Sequence, residues 1–535
     1  MIFADDPACS FRTLSASIVA GRDKTSFGGP VVVLGLMLVA FVALQCCLPL
    51  ATAVKIGADE DYELSKAVLC LNGHHLYTEV WSDQPPLYVS LLTLILKRFS
   101  PAVLGPRLLT TASTLLLLGS LFVLVLKTNG RLVAALATGL LMASPGFLEL
   151  SSSAMQEIPA LAPAAAALCV LLICPAAKWR ANVILGGLLF AVALQMKLIG
   201  IVYLPIAILI FVLRRLRLPA DTEDADGGIL RNSTGAADGI PMPSSSLVRP
   251  IAADILLCGA VIALGFACLN WLTGNPLRIQ LQQAWASHFA PAQSLEYGSP
   301  TAHLFDWSIL AKNWDTSVPA VAGIILLLRR ATRRQTLAWL PLAWLGLTLV
   351  VFSTHRPWWA YYYIHNALPL CWCAAVGLAA AWEYARTARR LAPALILGLF
   401  AACALPWLGA RLYFQESGIR QAPKLYNCRA LKEIERFKPF TQYMFTDQPI
   451  YSFHSGIPVP PRLATLSLKR FWSGEMSNAR LVSELENNLP GLMLLGSDPG
   501  ERSFQELLNS HYQLVYEDAS SRLYALKSVA RKAPY

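Results

Sequence analysis

The residues of this 535-residue chain that could do chemistry sit in short stretches between long apolar runs. Asp59-Glu60-Asp61-Tyr62 comes just after Pro30 to Val54, a stretch without a single charge, where the backbone would leave a bilayer. Carboxylates held at such a boundary are partly desolvated, which raises their pKa and their basicity. Groups of that kind suit proton abstraction from an acceptor, or cation binding. Three acids in a row also make an ordinary solvated face. A second cluster is Trp81-Ser82-Asp83-Gln84-Pro85-Pro86-Leu87-Tyr88. Its prolines can start a helix, whose first amides need no partner. Asp83 would then face back toward Asp59 and Glu60, or serve only as a cap. Glu157 heads an apolar run, where it could orient an acceptor, favour the helix N-terminus, or join Asp59 around a divalent metal. Lys197 closes another run, at an insertion cost of about 2.5–3.5 kcal/mol if unpaired. His288, His355 and Arg356 are further candidates for an anionic group. Arg356 precedes Trp358, Trp359, Tyr361, Tyr362 and Tyr363, which also read as an interfacial aromatic belt.

The elements that must position these residues are membrane helices. The chain is 55% hydrophobic and only 14% charged, with a mean hydropathy of +0.49. Soluble domains carry about 25% charged residues, so a soluble enzyme is excluded. Eleven spans are expected near 31–53, 107–126, 132–147, 158–175, 182–196, 199–213, 251–269, 316–328, 336–352, 365–382 and 391–409. The net charge of +11 reflects the positive-inside bias rather than nucleic-acid binding. With residues 1–30 cytoplasmic, the cytoplasmic connections hold nineteen Lys and Arg, among them Arg214-Arg215 and Arg329-Arg330. The opposite side holds nine before residue 410. The N-terminus lacks the pattern of a cleaved secretory signal.

Residues 218–249, rich in Gly, Asp, Ser and Pro, read as a disordered cytoplasmic loop, which would leave the acceptor motif Asn232-Ser233-Thr234 inert. The first external loop, 54–106, is expected to hold two interfacial helices, at Glu63–Leu71 and Leu87–Leu96. The tail, 410–535, reads as a small external α/β domain. Its helices are expected at Cys428–Lys438, Asn478–Asn488 and Ser503–Ser510. Its strands are expected at Gln442–Thr446, Leu492–Leu495, Gln513–Tyr516 and Arg522–Leu526. The fold class is therefore an all-α polytopic membrane bundle with a small α/β appendage. The twelve cysteines form no C-x-x-C pair, and most sit in apolar blocks as small hydrophobes. Cys70 and Cys428 could pair outside the membrane.

These motifs together resemble the GT-C integral-membrane glycosyltransferases. The bacterial protein O-mannosyltransferase and lipid A aminoarabinose transferase group is the most similar. The resemblance starts with Asp59-Glu60-x-Tyr62, Gly73-x-x-Leu76-Tyr77 and Trp81-x-Asp83-Gln84-Pro85-Pro86-Leu87. It continues through Met155-Gln156-Glu157-Ile158-Pro159-Ala160, Gln195-Met196-Lys197 and Tyr203-Leu204-Pro205. It ends on His355-Arg356-Pro357-Trp358-Trp359-x-Tyr361-Tyr362-Tyr363 with Pro369, and so covers roughly residues 30–410. It implies a polyprenyl-phosphate sugar donor and transfer to a lipid, glycan or protein on the external face of the plasma (inner) membrane. It implies Asp59 as catalytic base, and Glu60, Asp83 and Glu157 would then shape the acceptor or metal side. Two departures stand out. Asp61 follows the acidic pair where relatives have a small or neutral residue. Asp83-Gln84 replaces a Glu-Lys, so a cation next to the carboxylate is missing.

Lys197 and Arg356, with His355, His288, Tyr361 and Tyr362, are then the expected holders of the donor phosphate. Fixed cations lower the barrier when a sugar phosphate leaves and negative charge grows on it. A polytopic lipid transporter or flippase is the competing class. Against it stand the absence of an internal repeat and the gathering of ionisable residues in external loops.

Overall fold

The structure, a computed structural model, describes residues 28–99, 102–173, 175–217, 245–288, 302–332, 335–387, 391–496 and 502–532. Most of the expected cytoplasmic N-terminus and residues 218–244 of the expected disordered loop lie outside the described residues, as does Asn232-Ser233-Thr234. Residues 245–249, assigned above to that loop, instead open a helix.

Each expected span overlaps a helix, although 31–53 is helical only to Cys46 and 132–147 breaks after Met142. In chain order the first eight are α1 (Gly28–Cys46), α2 (Glu60–Leu71), α3 (Leu87–Phe99), α4 (Leu104–Asn129), α5 (Arg131–Met142), α6 (Phe147–Ser152), α7 (Glu157–Ile173) and α8 (Trp179–Met196). The next eight are α9 (Leu204–Arg217), α10 (Ser245–Leu272), α11 (Leu277–His288), α12 (Ser308–Lys312), α13 (Trp314–Thr332), α14 (Trp339–Thr354), α15 (Tyr363–Thr387) and α16 (Leu391–Gln421). Among the described residues, eight helices are long and apolar enough to cross a membrane, while α5 and α7 are apolar but shorter. At 1.5 Å per residue α5 rises only about 18 Å, against about 30 Å of hydrocarbon. Ser144-Pro145-Gly146 breaks it, with Gly146 at φ 70°, before α6 resumes. The protein is a multi-span membrane protein, with α2 and α3 as the two helices of the first loop.

Close helix contact in the bundle depends on small residues. A Cβ on Gly323 of α13 would overlap the carbonyl of Cys373 on α15, and one on Gly377 would overlap the carbonyl of Pro319. In lipid, van der Waals contact of this kind replaces the hydrophobic drive available in water. Helices α4, α7 and α15 are buried in the bundle, whereas α1, α10 and α16 expose apolar side chains such as Leu36, Leu264 and Leu395.

Helix α16 continues to Gln421, so the soluble fold begins beyond that residue rather than at 410. Its four strands are β1 (Met444–Thr446), β2 (Leu492–Leu495), β3 (Tyr512–Glu517) and β4 (Arg522–Leu526), in the order β1-β2-β4-β3. β1 and β2 are parallel, and the other neighbours are antiparallel. Helices α17 (Arg429–Phe437), α18 (Pro449–Ser455), α19 (Leu468–Trp472), α20 (Asn478–Asn488), α21 (Arg502–His511) and α22 (Lys527–Ala530) complete it. Both the helices and the strands expected for the tail are present. Cys70 and Cys428 are both free thiols.

The tail domain does not hang from the bundle. Leu64, Leu69, Tyr88 and Leu92 of α2 and α3 belong to the same buried cluster as Phe445, Ile450 and Leu492 of the domain. Backbone bonds stitch the joint: Val54 N–H donates to Pro423 O and Leu425 N–H to Thr52 O, both at 2.8 Å. His454 adds a 2.8 Å bond to Val54 O.

Gly377→Leu is expected to cost at least about 3 kcal/mol through forced separation of α13 and α15, read as a lower melting temperature in detergent. Gly398→Leu, on the open face of α16 where a Cβ meets nothing, is expected to leave that temperature unchanged.

Candidate active site

The helical turn of α2 decides what its three acids do. Successive residues on a helix point about 100° apart, so Asp59, Glu60 and Asp61 diverge. Glu60 turns inward and is fully buried, as is Arg107 of α4. The Arg107 guanidinium grips both Glu60 oxygens at 2.8 Å and donates to Leu50 O at 2.7 Å and Ala53 O at 2.9 Å. Ile56 N–H and Ala154 N–H also donate to Glu60. Burial pushes the Glu60 carboxyl up, but Arg107 and the two amides outweigh it and hold it below its ordinary value. Asp61 turns the other way, to Lys55 at 2.7 Å. Burial lifts its pKa, which Lys55 offsets only in part.

Asp59 alone of the three faces a cavity of about 430 Å³, and it makes no capping bond to its own helix. The cavity lies between the first loop, the C-terminal end of α8 and the tail domain. Besides Asp59, its polar lining includes Glu63, Lys66, Asp83, Gln84, Gln156, Lys197, Tyr361, Tyr362, Thr465, Ser467 and Lys469. Glu63 pairs with Lys66 at 2.7 Å and accepts from Gln156 at 2.8 Å. Burial raises its pKa, and the nearby Asp83 and Asp59 add to that against the pull of Lys66. Among the described residues, Asp59 is the one cavity-lining carboxylate with no cationic partner at ion-pair distance. Tyr361 lines the same cavity.

Lys197 lies where α8 ends and the chain turns extended before the next span. Its ammonium bonds Glu157 and sits 5.4 Å and 5.6 Å from the ring centroids of Tyr361 and Tyr362. Burial works against its charge, but Glu157 and Tyr362 more than compensate and raise its pKa. Glu157 is thereby taken up by a lysine. It does not fit a divalent site with Asp59, and among the described residues no three His, Cys, Asp or Glu converge on a metal position.

Asp83 is no helix cap. Its carboxylate accepts from Lys469 Nζ at 2.9 Å and lies 3.4 Å from His288 Nε2. Burial opposes the charge, yet Lys469 and His288 hold the carboxyl well below its usual range. Burial and the surrounding cations push both histidines down, His288 below its ordinary value and His355 to about 4. Both are therefore neutral at pH 7, and neither supplies the positive charge expected of it. His355 packs against Tyr362 at 5.7 Å rather than lining the cavity. Arg356 is directed elsewhere too: it donates to Ser353 O at 2.8 Å and His355 O at 2.9 Å, bracing its own turn.

The structure thus brings Asp59, Asp83, Lys197, Tyr361 and Tyr362 to one cavity, with Glu157 and His288 in direct contact with its lining. It leaves Glu60, His355 and Arg356 off that surface. Sequence reasoning missed Glu63, Lys66 and Lys469 as site residues. The Glu63–Lys66 spacing of three was a readable signal for a helical pair. Lys469 had none.

Removing one partner of a buried ion pair costs about 3–5 kcal/mol. Glu60→Gln should therefore lower the melting temperature sharply, while Asp59→Asn should shift stability by less than about 1 kcal/mol. Because the folded Glu60 pKa is depressed, its stabilisation is full above the unfolded value of about 4.3. It should fade as pH falls through the lower folded value. A melting series from pH 7 to pH 3 would show this acid loss in wild type and not in Glu60→Gln.

No protein-family model and no curated protein matches the chain. Solved structures do. ArnT from Cupriavidus metallidurans bound to undecaprenyl phosphate superposes with a TM-score of 0.60 at 15% identity, over 94% of this chain and 99% of that one. Its apo state gives 0.61 over 93% and 98%. The archaeal oligosaccharyltransferase AglB from Archaeoglobus fulgidus, in complex with an inhibitory peptide and a dolichol-phosphate, gives 0.51 at 13% identity, over 87% and 69%. At these identities it is the fold that is common. This chain has the fold of the GT-C membrane glycosyltransferases ArnT and AglB, with a small α/β domain closing over its first loop.

Proposed function

We propose that the protein is a membrane glycosyltransferase that moves a monosaccharide from a polyprenyl-phosphate donor to an acceptor. The observation that carries this reading is the pairing within one cavity of an Asp59 carboxylate without a cationic partner and the buried, charged Lys197. A base and an anion holder are what a single displacement at a sugar carbon requires. The solved neighbours bound to undecaprenyl phosphate and to a dolichol-phosphate support a lipid phosphate as the anion.

In this reaction Asp59 takes the proton of the acceptor as its heteroatom attacks the anomeric carbon. The bond from that carbon to the phosphate oxygen breaks, and polyprenyl phosphate leaves with its electron pair. Lys197 and the hydroxyls of Tyr361 and Tyr362 meet the charge that develops on the phosphate. Configuration inverts, and no residue becomes covalently glycosylated. Glu157 keeps Lys197 charged and aimed. Glu60 fixes the backbone that presents Asp59. Asp83 and Glu63 line the remaining wall, where an acceptor hydroxyl or amine would lie.

Sidedness follows the distribution of bases. With the N-terminus cytoplasmic, the cavity and the tail domain face the outside of the plasma membrane.

General bases contribute about 10²–10⁴-fold. Asp59→Asn, tested with a panel of undecaprenyl-phosphate sugars, should lose transfer by that factor while binding the donor within about threefold of wild type. Lys197→Met should weaken donor binding itself. Transfer at the wild-type rate in Asp59→Asn would overturn the assignment.

A further inference from the structure

We propose that Lys469, carried by the tail domain, is a second cation for the donor's phosphate, with the Thr465 and Ser467 hydroxyls beside it as further ligands. This rests on the reading of the cavity as a polyprenyl-phosphate sugar site. It makes the tail domain half of the binding site rather than an attachment.

All three residues line the cavity. Thr465 Oγ1 and Ser467 Oγ are buried and make no hydrogen bond. A buried hydroxyl without a partner is costly, and a phosphate oxygen would satisfy both. Lys469 follows two residues later, its side chain 12% exposed and its ammonium 2.9 Å from Asp83. Burial disfavours its charge, but Asp83 and Tyr362 hold its pKa above the ordinary value.

Tyr362 lines the cavity together with both lysines, its ring centroid 5.6 Å from Lys197 Nζ. The two lysines therefore share one cavity, each balanced by a single carboxylate, Glu157 or Asp83. An anion placed between them would relieve their mutual repulsion.

The strip is built to hold its shape. Arg470 is buried, and its guanidinium binds the carbonyls of Arg462 and Thr465. Glu475, 3.5 Å from Arg470, accepts from Trp81 Nε1 at 2.6 Å, which ties the strip to the first loop. The first loop itself offers Gln84, not a cation, beside Asp83. Lys469 reaches that spot from 386 residues away. When the sugar departs, the phosphate gains a negative charge, so Lys469 would hold the product more strongly than the donor.

The test is binding of undecaprenyl phosphate to the full-length protein in nanodiscs, with uncharged undecaprenol as control. Lys469→Met should weaken undecaprenyl phosphate binding about 10- to 100-fold and leave undecaprenol unchanged. Lys469→Arg should retain most of the affinity. Unchanged binding in Lys469→Met would overturn the role of Lys469 and leave the glycosyltransferase reading standing. Equal losses in Lys469→Met and Lys469→Arg would make Lys469 a mere strut and overturn it as well. Equal loss of undecaprenol from Lys469→Met would mark a collapsed site and do the same. Wild-type protein that binds no undecaprenyl phosphate would overturn the glycosyltransferase reading and this proposal together.

Discussion

The geometry of the cavity depends on one buried ion pair. Arg107 and Glu60 are both fully buried at the membrane boundary, where neither could stay charged alone. Their mutual grip, with the carbonyls of Leu50 and Ala53 and the amides of Ile56 and Ala154, satisfies the carboxylate and most of the guanidinium. Four chain segments are drawn together by it: the exit of the first span, the start of α2, the start of α4 and the turn before α7. Asp59 stands one residue before Glu60, so its direction into the cavity follows from where that pair sits. So does the position of Glu157, which follows Ala154 by three residues and carries Lys197.

A second constraint is the joint between bundle and tail domain. The amphipathic helices α2 and α3 cannot bury their apolar faces in the first loop alone. They do so against β1, β2 and α18 of the tail, so that one core serves both parts. The segment holding Thr465, Ser467 and Lys469 is brought to the first loop in the same movement. A cavity assembled at such a joint has its two walls set by one packing interaction, which favours the exclusion of water from charged groups and strengthens their interactions.

The charges around the cavity are arranged in pairs rather than as a positive patch. Lys197 has Glu157, Lys469 has Asp83, Lys66 has Glu63. Buried lysines keep their charge only with such partners. The histidines, surrounded by these ammoniums, stay neutral.

Much of this was legible in the sequence, and the reason is the bilayer. Hydrocarbon demands long apolar helices, so hydropathy alone located the eight helices long and apolar enough to cross it, and the short periodic segments of the tail were located as closely. Proximity in sequence also pointed to Asp59, Asp83, Lys197 and the Tyr361-Tyr362 pair, because polar residues at the ends of apolar runs are costly without a purpose. Direction and partnership were not legible. Three consecutive acids look alike in a string, and only the helical rotation of α2 sends Glu60 to Arg107, Asp61 to Lys55 and Asp59 to the cavity. Arg356 looked like a phosphate ligand until its turn folded the guanidinium back onto its own carbonyls. Lys469 carries no local mark at all. Its place beside Asp83 comes from a contact between residues 386 apart, which tertiary packing decides and no spacing along the chain records.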